Sequence, residues 1–307
     1  MIPDRRHILT EQPNPHSENL DQLPIIDALQ MMEHENAAAV AAVAAARPSL
    51  ATAVGWAADA LKGGGRLIYV GAGTSGRLAV LDAAECPPTF SSDPGQILAV
   101  IAGGDAALKA SIEGAEDDSR AGAQAIDELA PAPRDLVIGI AAGGTTPFVH
   151  GALKAAAVHG AKTILICCTD PAHISLHVDL LIYLPTGPEF ITGSTRLKAG
   201  TATKLALNAI STLAMVQIGK VFGNFMVDVD AGKNVKLRDR AARMIESIAG
   251  LNRCHSLELL DQAGGRVKRA IVMHFHHMTA DQADELLKAN GGHLSRLIPR
   301  PTPLKRQ

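Results

Sequence analysis

Glycines and hydroxyl side chains form a short turn with the chemistry of an anion site. The turn, GAGTSG at 71–76, follows a β-rich run and precedes a helical pattern. Its glycines let backbone N–H groups approach a phosphate, and the helix N-terminus adds a favourable dipole. The spacing also matches the dinucleotide motif G-x-G-x-x-G, but Asp105, the next acidic residue after the following strand, lies too far along to bind a ribose. Because Gly73 is followed by the hydroxyls of Thr74 and Ser75, the turn favours a terminal phosphate.

Two later segments repeat this chemistry. An apolar run ends in AAGGTTP at 141–147, and the segment 186–204 places GST ahead of a long helical pattern. In open α/β sheets, ligands bind outside the carboxyl ends of the strands, so the three turns are expected to meet at one edge. The hydroxyls predicted to line that site are those of Thr145, Thr146, Ser194 and Thr195.

Glu85 stands directly before Cys86-Pro87-Pro88, where the sequence predicts the end of the helix that begins near Gly76. At a helix C-terminus with apolar neighbours, the dipole and desolvation both favour the protonated form that a general acid needs. A solvated surface glutamate is the alternative interpretation.

An acidic cluster follows the second predicted strand. Glu113 and Glu116 lie three residues apart on a helix predicted from about 107 to 130, so they are expected to share one face with Asp117 and Asp118 nearby. Such a cluster is usually solvated, but one carboxylate directed at the phosphate turn (residues 71–76) would serve as a base. The residues alone do not select which one.

The remaining chemistry-bearing motif is HFHH at 274–277, which no other metal-ligand pattern accompanies. We therefore predict no metal and no cofactor. The four cysteines form no CxxC pair, the N-terminus has no apolar signal-like core, and no apolar run is long enough to span a bilayer. These features predict a soluble cytoplasmic protein, and a net charge of −2 argues against nucleic acid or an anionic membrane as partner.

Five apolar runs alternate with helical patterns and position these turns. The runs start near residues 66, 96, 135, 162 and 179. Continuous apolar strands separated by helices predict an α/β fold with a doubly wound, five-stranded parallel sheet. We predict an N-terminal arm and two helices broken at Pro48 in 1–60, a sheet domain in 61–234 that ends with one long helix over 195–222, and a small C-terminal helical domain in 235–307.

The motifs resemble the signature segments of N-acetylmuramic acid 6-phosphate etherases, a family with the sugar-isomerase (SIS) fold that it shares with the glucokinase regulatory protein. The resemblance runs from TEQPNPHS at 10–17 to the helical tail. The segments that carry it are GAGTSGRLAVLDAAECPPTF (71–90), SIEGAEDD (111–118), TGSTRLKAGTATK (192–204) and NFMVDVDAGKNVKLRDRA (224–241).

This resemblance implies a reaction and its residues. Family members remove D-lactate from C3 of the ring-opened sugar phosphate by elimination, and then add water to the unsaturated aldehyde. The family motif places the acid at Glu85 and the base at Glu116, and it assigns the phosphate and sugar to Thr74, Ser75, Ser194 and Thr195. It also implies a homodimer with its site near the subunit interface.

Two departures from the family pattern keep alternatives open. Where the family usually reads A-A-S-G-R-T-P, this chain has AAGGTTP, and Pro13 stands where arginine is common. A neutral threonine does not replace the charge of arginine. A related enzyme acting on another sugar phosphate is therefore one alternative. A non-catalytic sugar-phosphate regulator is another, although such a protein needs no acid–base pair, and a nicotinamide oxidoreductase is the most distant.

Overall fold

The computed structural model describes residue 6 and residues 8–232 and 235–299. The chain divides into two compact units. The first comprises Met1–Ala84 and Pro94–Thr212, and the second comprises Glu85–Asp93 and Leu213–Gln307. The boundary predicted near residue 234 lies inside the second unit.

The first unit contains the predicted five-stranded parallel sheet. Its strands are β1 (Leu67–Gly71), β2 (Ile97–Ile101), β3 (Leu136–Ile140), β4 (Lys162–Cys167) and β5 (Leu180–Tyr183), in the order β2-β1-β3-β4-β5. Gly71 pairs with Ile101 on one side and Ile140 on the other. The carboxyl ends of the three strands that precede the candidate turns and the acidic segment are therefore level with one another.

Burial on both faces explains why the strands are continuous apolar runs. Every residue of β1 and β3 is buried. Helices α4 (Ser119–Leu129) and α5 (Pro147–Val158) supply Ile126, Phe148 and Val149 to one core cluster beneath the sheet. With no side open to water, the strands have no polar positions to alternate.

The N-terminal helices are α1 (Ile25–Ala45) and α2 (Arg47–Lys62), with the predicted break next to Pro48. No single helix in the described part of the chain is long and apolar enough to cross a bilayer; α1 and α2 meet that criterion only as a pair, bent by 60° at the break.

Helix α3 (Gly73–Phe90) continues past the position where the sequence predicted its end. Pro87 and Pro88 lie within its last turn, and the Ser91 N–H donates to the Pro87 carbonyl over 3.0 Å. Each proline keeps a helical φ but lacks the N–H that would donate to the carbonyl four residues earlier, so the last turn of α3 proceeds without those two hydrogen bonds. Ser91, with φ of 46°, ends the helix instead.

The helix predicted over 107–130 was wrong in its first half. That stretch contains two short 3-10 turns, Gly104–Leu108 and Ala115–Asp117, and α4 starts only at Ser119. Gly103, Gly104 and Gly114 all have positive φ, which interrupts a right-handed helix. Glu113 and Glu116 therefore do not share a helix face.

Helix α6 (Lys198–Gln217) is the long helix expected over 195–222, shortened at both ends. The second unit contains α7 (Val235–Ala249), α8 (Arg253–Gln262), α9 (Val267–His276) and α10 (Ala280–Ala289), within the range predicted to be helical. Ile245, Leu260 and Ile271 lie in its own hydrophobic core.

Candidate functional site

One cavity in the first unit brings together most of the predicted site residues. It has a volume of about 240 Å³ and lies at the carboxyl edge of the sheet. Seven predicted residues line it: Gly73, Thr74, Ser75, Glu116, Thr145, Thr146 and Thr195. Ser194 and Glu85 are not among the lining residues. Ser194 is half-buried, and Glu85 is exposed on α3.

The glycines of the first turn have different roles. A Cβ on Gly71 would lie 2.7 Å from the Gly76 nitrogen, and a Cβ on Gly76 would lie 2.5 Å from Cγ1 of Ile101. These two glycines let α3 start directly against β1. Gly73 instead has a φ of +52° and open space where its Cβ would be. The first N–H groups of a helix have no intrahelical acceptor, so the turn offers donors for an anion.

The second turn places two threonines, Thr145 and Thr146, in the lining of the cavity. Gly144 has a φ of +70°, and its N–H donates to the Ala141 carbonyl over 2.8 Å. Thr146 occupies the N-cap position of α5, but its hydroxyl makes no capping hydrogen bond. Thr145 and Thr146 therefore remain able to bind a ligand in the cavity.

The third turn is positioned by residues that the sequence did not single out. The Gly193 N–H donates to the Thr10 carbonyl over 2.9 Å, which fixes the N-terminal arm against this turn. The buried Glu189 carboxylate accepts the backbone N–H groups of Lys198 and Ala199, each at 2.9 Å. The first N–H groups of α6 are therefore capped by a glutamate from the preceding loop.

A buried ion pair holds the arm and α1 against the start of α6. Glu35 accepts hydrogen bonds from the Lys198 ammonium, from Nδ2 of Asn14 (2.7 Å) and from Nδ1 of His16 (2.8 Å). Burial alone would raise the pKa of Glu35, but the bonds from Lys198, His16 and Asn14 outweigh it and lower this pKa to about 2. Glu189 lacks such a cation bond, and burial raises its pKa.

Carboxylates line the cavity beside the hydroxyl turns. Glu116 and Asp117 come from the 3-10 turn Ala115–Asp117, and Glu11 comes from the N-terminal 3-10 turn Leu9–Glu11. Sequence reasoning missed Glu11, although it lies within the arm segment that carries the resemblance. The other acidic candidates differ: Asp118 caps α4 by accepting the Ala121 N–H, and Glu113 accepts from the Ser111 hydroxyl over 3.3 Å.

The charge pattern limits what the cavity binds and does. Within the described part of the chain, neither lysine nor arginine lines it. A bound phosphate must therefore rely on backbone N–H groups, hydroxyls and the dipole of α3. A carboxylate next to that phosphate is a suitable base for a carbon-bound proton. Among the described residues, no group of three His, Cys, Asp or Glu side chains could hold a metal ion.

Comparison with known proteins identifies close relatives. The family described as the glucokinase regulatory protein N-terminal SIS domain matches residues 49–157. The N-acetylmuramic acid 6-phosphate etherase of Crocosphaera subtropica is 51% identical over 293 residues, which cover 95% of this chain and 96% of that relative. The etherase of Gloeobacter violaceus is 51% identical over 291 residues and 95% of both chains.

The etherase of a Synechocystis strain is 50% identical over 298 residues, with 97% of both chains covered. Among solved structures, a putative sugar-phosphate isomerase from Listeria monocytogenes aligns over 62% of this chain and 89% of its own, at 16% identity and a TM-score of 0.47. These three etherases are identical to this chain at 50–51% of the aligned positions, which cover 95–97% of it. The chain belongs to the N-acetylmuramic acid 6-phosphate etherase family.

Proposed function

We propose that this protein cleaves the D-lactyl ether of N-acetylmuramic acid 6-phosphate and releases N-acetylglucosamine 6-phosphate and D-lactate. The observation that carries the proposal is the 240 Å³ cavity, where a helix N-terminus, three hydroxyl-bearing turns and the carboxylate of Glu116 converge. The relatives support the same activity, because proteins with the etherase name match nearly the whole chain.

The phosphate binds at the start of α3 in this proposal. Thr74 and Ser75 supply hydroxyls, and the N–H groups of the first helical turn supply further donors. Thr145, Thr146 and Thr195 then face the sugar, and Ser194 belongs to the same turn as Thr195. Neutral donors are sufficient because the helix dipole contributes the favourable potential.

Glu116 is the proposed base and Glu85 the proposed acid. Glu116 takes the proton from C2 of the ring-opened sugar, and the electron pair forms a C2–C3 double bond as the C3–O bond breaks. Glu85 gives a proton to the departing lactate oxygen. Water then adds across the double bond, so that C3 gains a hydroxyl and C2 regains a proton.

The support for the two carboxylates differs. Glu116 lines the cavity, whereas Glu85 rests on the family motif alone, because it is exposed in α3 and is not among the residues that line the cavity. No metal is required for this sequence of proton transfers.

The protein acts as a homodimer in this proposal. Helix α1 buries only Glu35, Ala39 and Ala42, while Ile25 is 80% exposed and Ile26 is 72% exposed. Apolar side chains exposed in one region are typical of a surface that another subunit covers. Light scattering is expected to give twice the mass of one chain, and a monomeric mass for active protein would contradict this.

Cytoplasmic location is also proposed. All four cysteines are free thiols, three of them buried, as is usual in a reducing compartment.

Release of D-lactate from N-acetylmuramic acid 6-phosphate tests the proposed activity. The wild type is expected to release lactate, and Glu116→Gln is expected to lose at least about 100-fold in kcat, as for a missing general base. Glu113→Gln is the matched control, because Glu113 lies in the same segment and lines a neighbouring crevice with Glu116 but is not among the residues that line the 240 Å³ cavity. Glu85→Gln tests the acid in the same assay. Phosphosugar binding without lactate release would overturn the proposal and favour a regulator.

A further inference from the structure

We infer that Arg77 is a positioning residue that holds the segment carrying Glu116 against the phosphate turn. The inference rests on the proposed function and deepens it. It states that the rate depends on Arg77 as well as on the proposed acid and base.

Arg77 joins two parts of the site by hydrogen bonds. It lies in α3, two residues after Ser75, and is half-buried. Its Nε donates to the Ala107 carbonyl over 2.9 Å, and its Nη2 donates to the Ala110 carbonyl over 3.0 Å. One planar guanidinium therefore fixes two carbonyls of the segment that leads to Glu116.

That segment has little regular structure of its own. Between β2 and α4 it contains only two 3-10 turns, and Gly103, Gly104 and Gly114 adopt left-handed conformations. Most of its side chains are exposed, and Ala107 is its buried anchor. A segment with so few buried contacts depends on individual hydrogen bonds for its position.

Arg77 is connected to the proposed base through the segment between Ala110 and Glu116. Arg77 and Glu116 line the same crevice of about 120 Å³, together with Gly73 of the phosphate turn. Glu116 follows Ala110 by six residues, and the left-handed Gly114 lies between them. A shift of the carbonyls that Arg77 holds is therefore passed to the carboxylate, while Thr74 and Ser75 stay on the helix.

Loss of the two hydrogen bonds of the Arg77 guanidinium should slow the elimination step without weakening substrate binding. Lysine keeps the charge of Arg77 but has a single nitrogen, so it does not reproduce the two-point contact. A misplacement of about 1 Å costs on the order of 100-fold in rate. Arg77→Lys is expected to lower kcat by about 10- to 100-fold, with an unchanged KM and unchanged competitive inhibition by inorganic phosphate.

A substrate carrying deuterium at C2 separates positioning from folding. Because the slowed step is C2–H cleavage, Arg77→Lys should show an isotope effect on kcat at least as large as that of the wild type. Arg66→Lys is the control. Arg66 also donates to two carbonyls, those of Leu129 and Ala130 over 3.0 and 3.2 Å, in addition to its ion pair with Asp135, and it lies outside the cavity. That variant is expected to keep the wild-type kcat per folded molecule.

Three results for Arg77→Lys would overturn the inference. An unchanged kcat in Arg77→Lys, a smaller isotope effect than in the wild type, or a raised KM and phosphate inhibition constant with kcat preserved would each overturn the inference. If Arg77→Lys does not fold, Arg77→Gln is measured in its place with the same criteria. Absence of lactate release by the wild type is a separate result, which rejects the proposed function itself.

Discussion

Replacing Glu35 with glutamine should destabilise the first unit in a pH-dependent way. Lys198 and Glu35 are both buried, with 3% and 7% of their side chains exposed. Glu35→Gln leaves the Lys198 ammonium in the interior without the carboxylate that it bonds to. Asn14 and His16 would also lose the charged acceptor that they share.

Two ways of calculating the loss of unfolding free energy in Glu35→Gln give similar values. A pKa that falls from 4.5 to about 2 on folding corresponds to about 3 kcal/mol at neutral pH, since each unit of pKa is about 1.4 kcal/mol. Breaking a buried ion pair by removing one partner costs about 3–5 kcal/mol. For a unit of about 200 residues, 3 kcal/mol lowers the Tm by roughly 6–12 °C.

The sign of the pH dependence follows from the lowered pKa. The contribution of Glu35 to stability is complete above its unfolded pKa of 4.5 and is lost as the pH falls through its folded pKa of about 2. Glu35→Gln has no such titration. The difference in free energy of unfolding between wild type and variant should therefore shrink from about 3 kcal/mol at pH 7 to about 1.4 kcal/mol at pH 3.

Urea unfolding followed by tryptophan fluorescence measures this difference. Trp56 is the single tryptophan of the chain and lies in α2, so it reports on the first unit. Asp127→Asn is the control, because Asp127 pairs with His159 at the surface and should contribute under about 1 kcal/mol. A difference for Glu35→Gln below about 1 kcal/mol at pH 7, or one equal at pH 7 and pH 3, would refute the reasoning.

Two further predictions concern the phosphate turn and the thiols. Gly73→Ala should fold with a loss of about 1–2 kcal/mol from its positive φ but bind inorganic phosphate at least about 10-fold more weakly. Gly76→Ala should lose about 1–3 kcal/mol of stability because the new Cβ meets Ile101. Equal phosphate affinity of Gly73→Ala and wild type would contradict the role of Gly73 in phosphate binding. In native protein a thiol reagent should modify Cys254 alone and slowly, because Cys254 is exposed and its hydrogen bond to Glu258 raises its pKa. Burial raises the pKa of Cys167 to about 11, and rapid reaction of more than one thiol would contradict the structure.

The strands and the positions of the turns that follow them were predictable because their signals are local. A run such as Leu136–Ile140 is apolar at every position, and the glycines that follow it mark where the chain leaves the sheet. Parallel topology then brings the ends of such runs to one edge. This reasoning places Thr74, Ser75 and Thr145 near each other without any knowledge of distant contacts.

The prediction of one helix over 107–130 failed because it gave too little weight to glycines, which interrupt helices. Gly103, Gly104 and Gly114 are visible in the sequence, and their left-handed φ values are what stop the helix. The prediction that α3 ends at Glu85 failed for the opposite reason. Prolines were interpreted as stops, although Pro87 and Pro88 fit the last turn of α3.

The supporting contacts of the site were beyond sequence reasoning because they join distant segments. Glu35 meets Lys198 across 163 positions, and Asn14 reaches the Pro188 carbonyl across 174. No local pattern marks either residue as part of a network. Glu11 was missed for the same reason, since only the docking of the arm brings it to the cavity.

The fate of the C2 hydrogen tests the central claim most directly. The reaction is run in D2O with unlabelled N-acetylmuramic acid 6-phosphate, and the N-acetylglucosamine 6-phosphate formed is analysed by mass spectrometry and proton NMR. Elimination with Glu116 as base, exchange of the abstracted proton with the solvent, and addition of water together predict one carbon-bound deuterium at C2 of the product. Product that retains hydrogen at C2, or no product at all, would contradict the account.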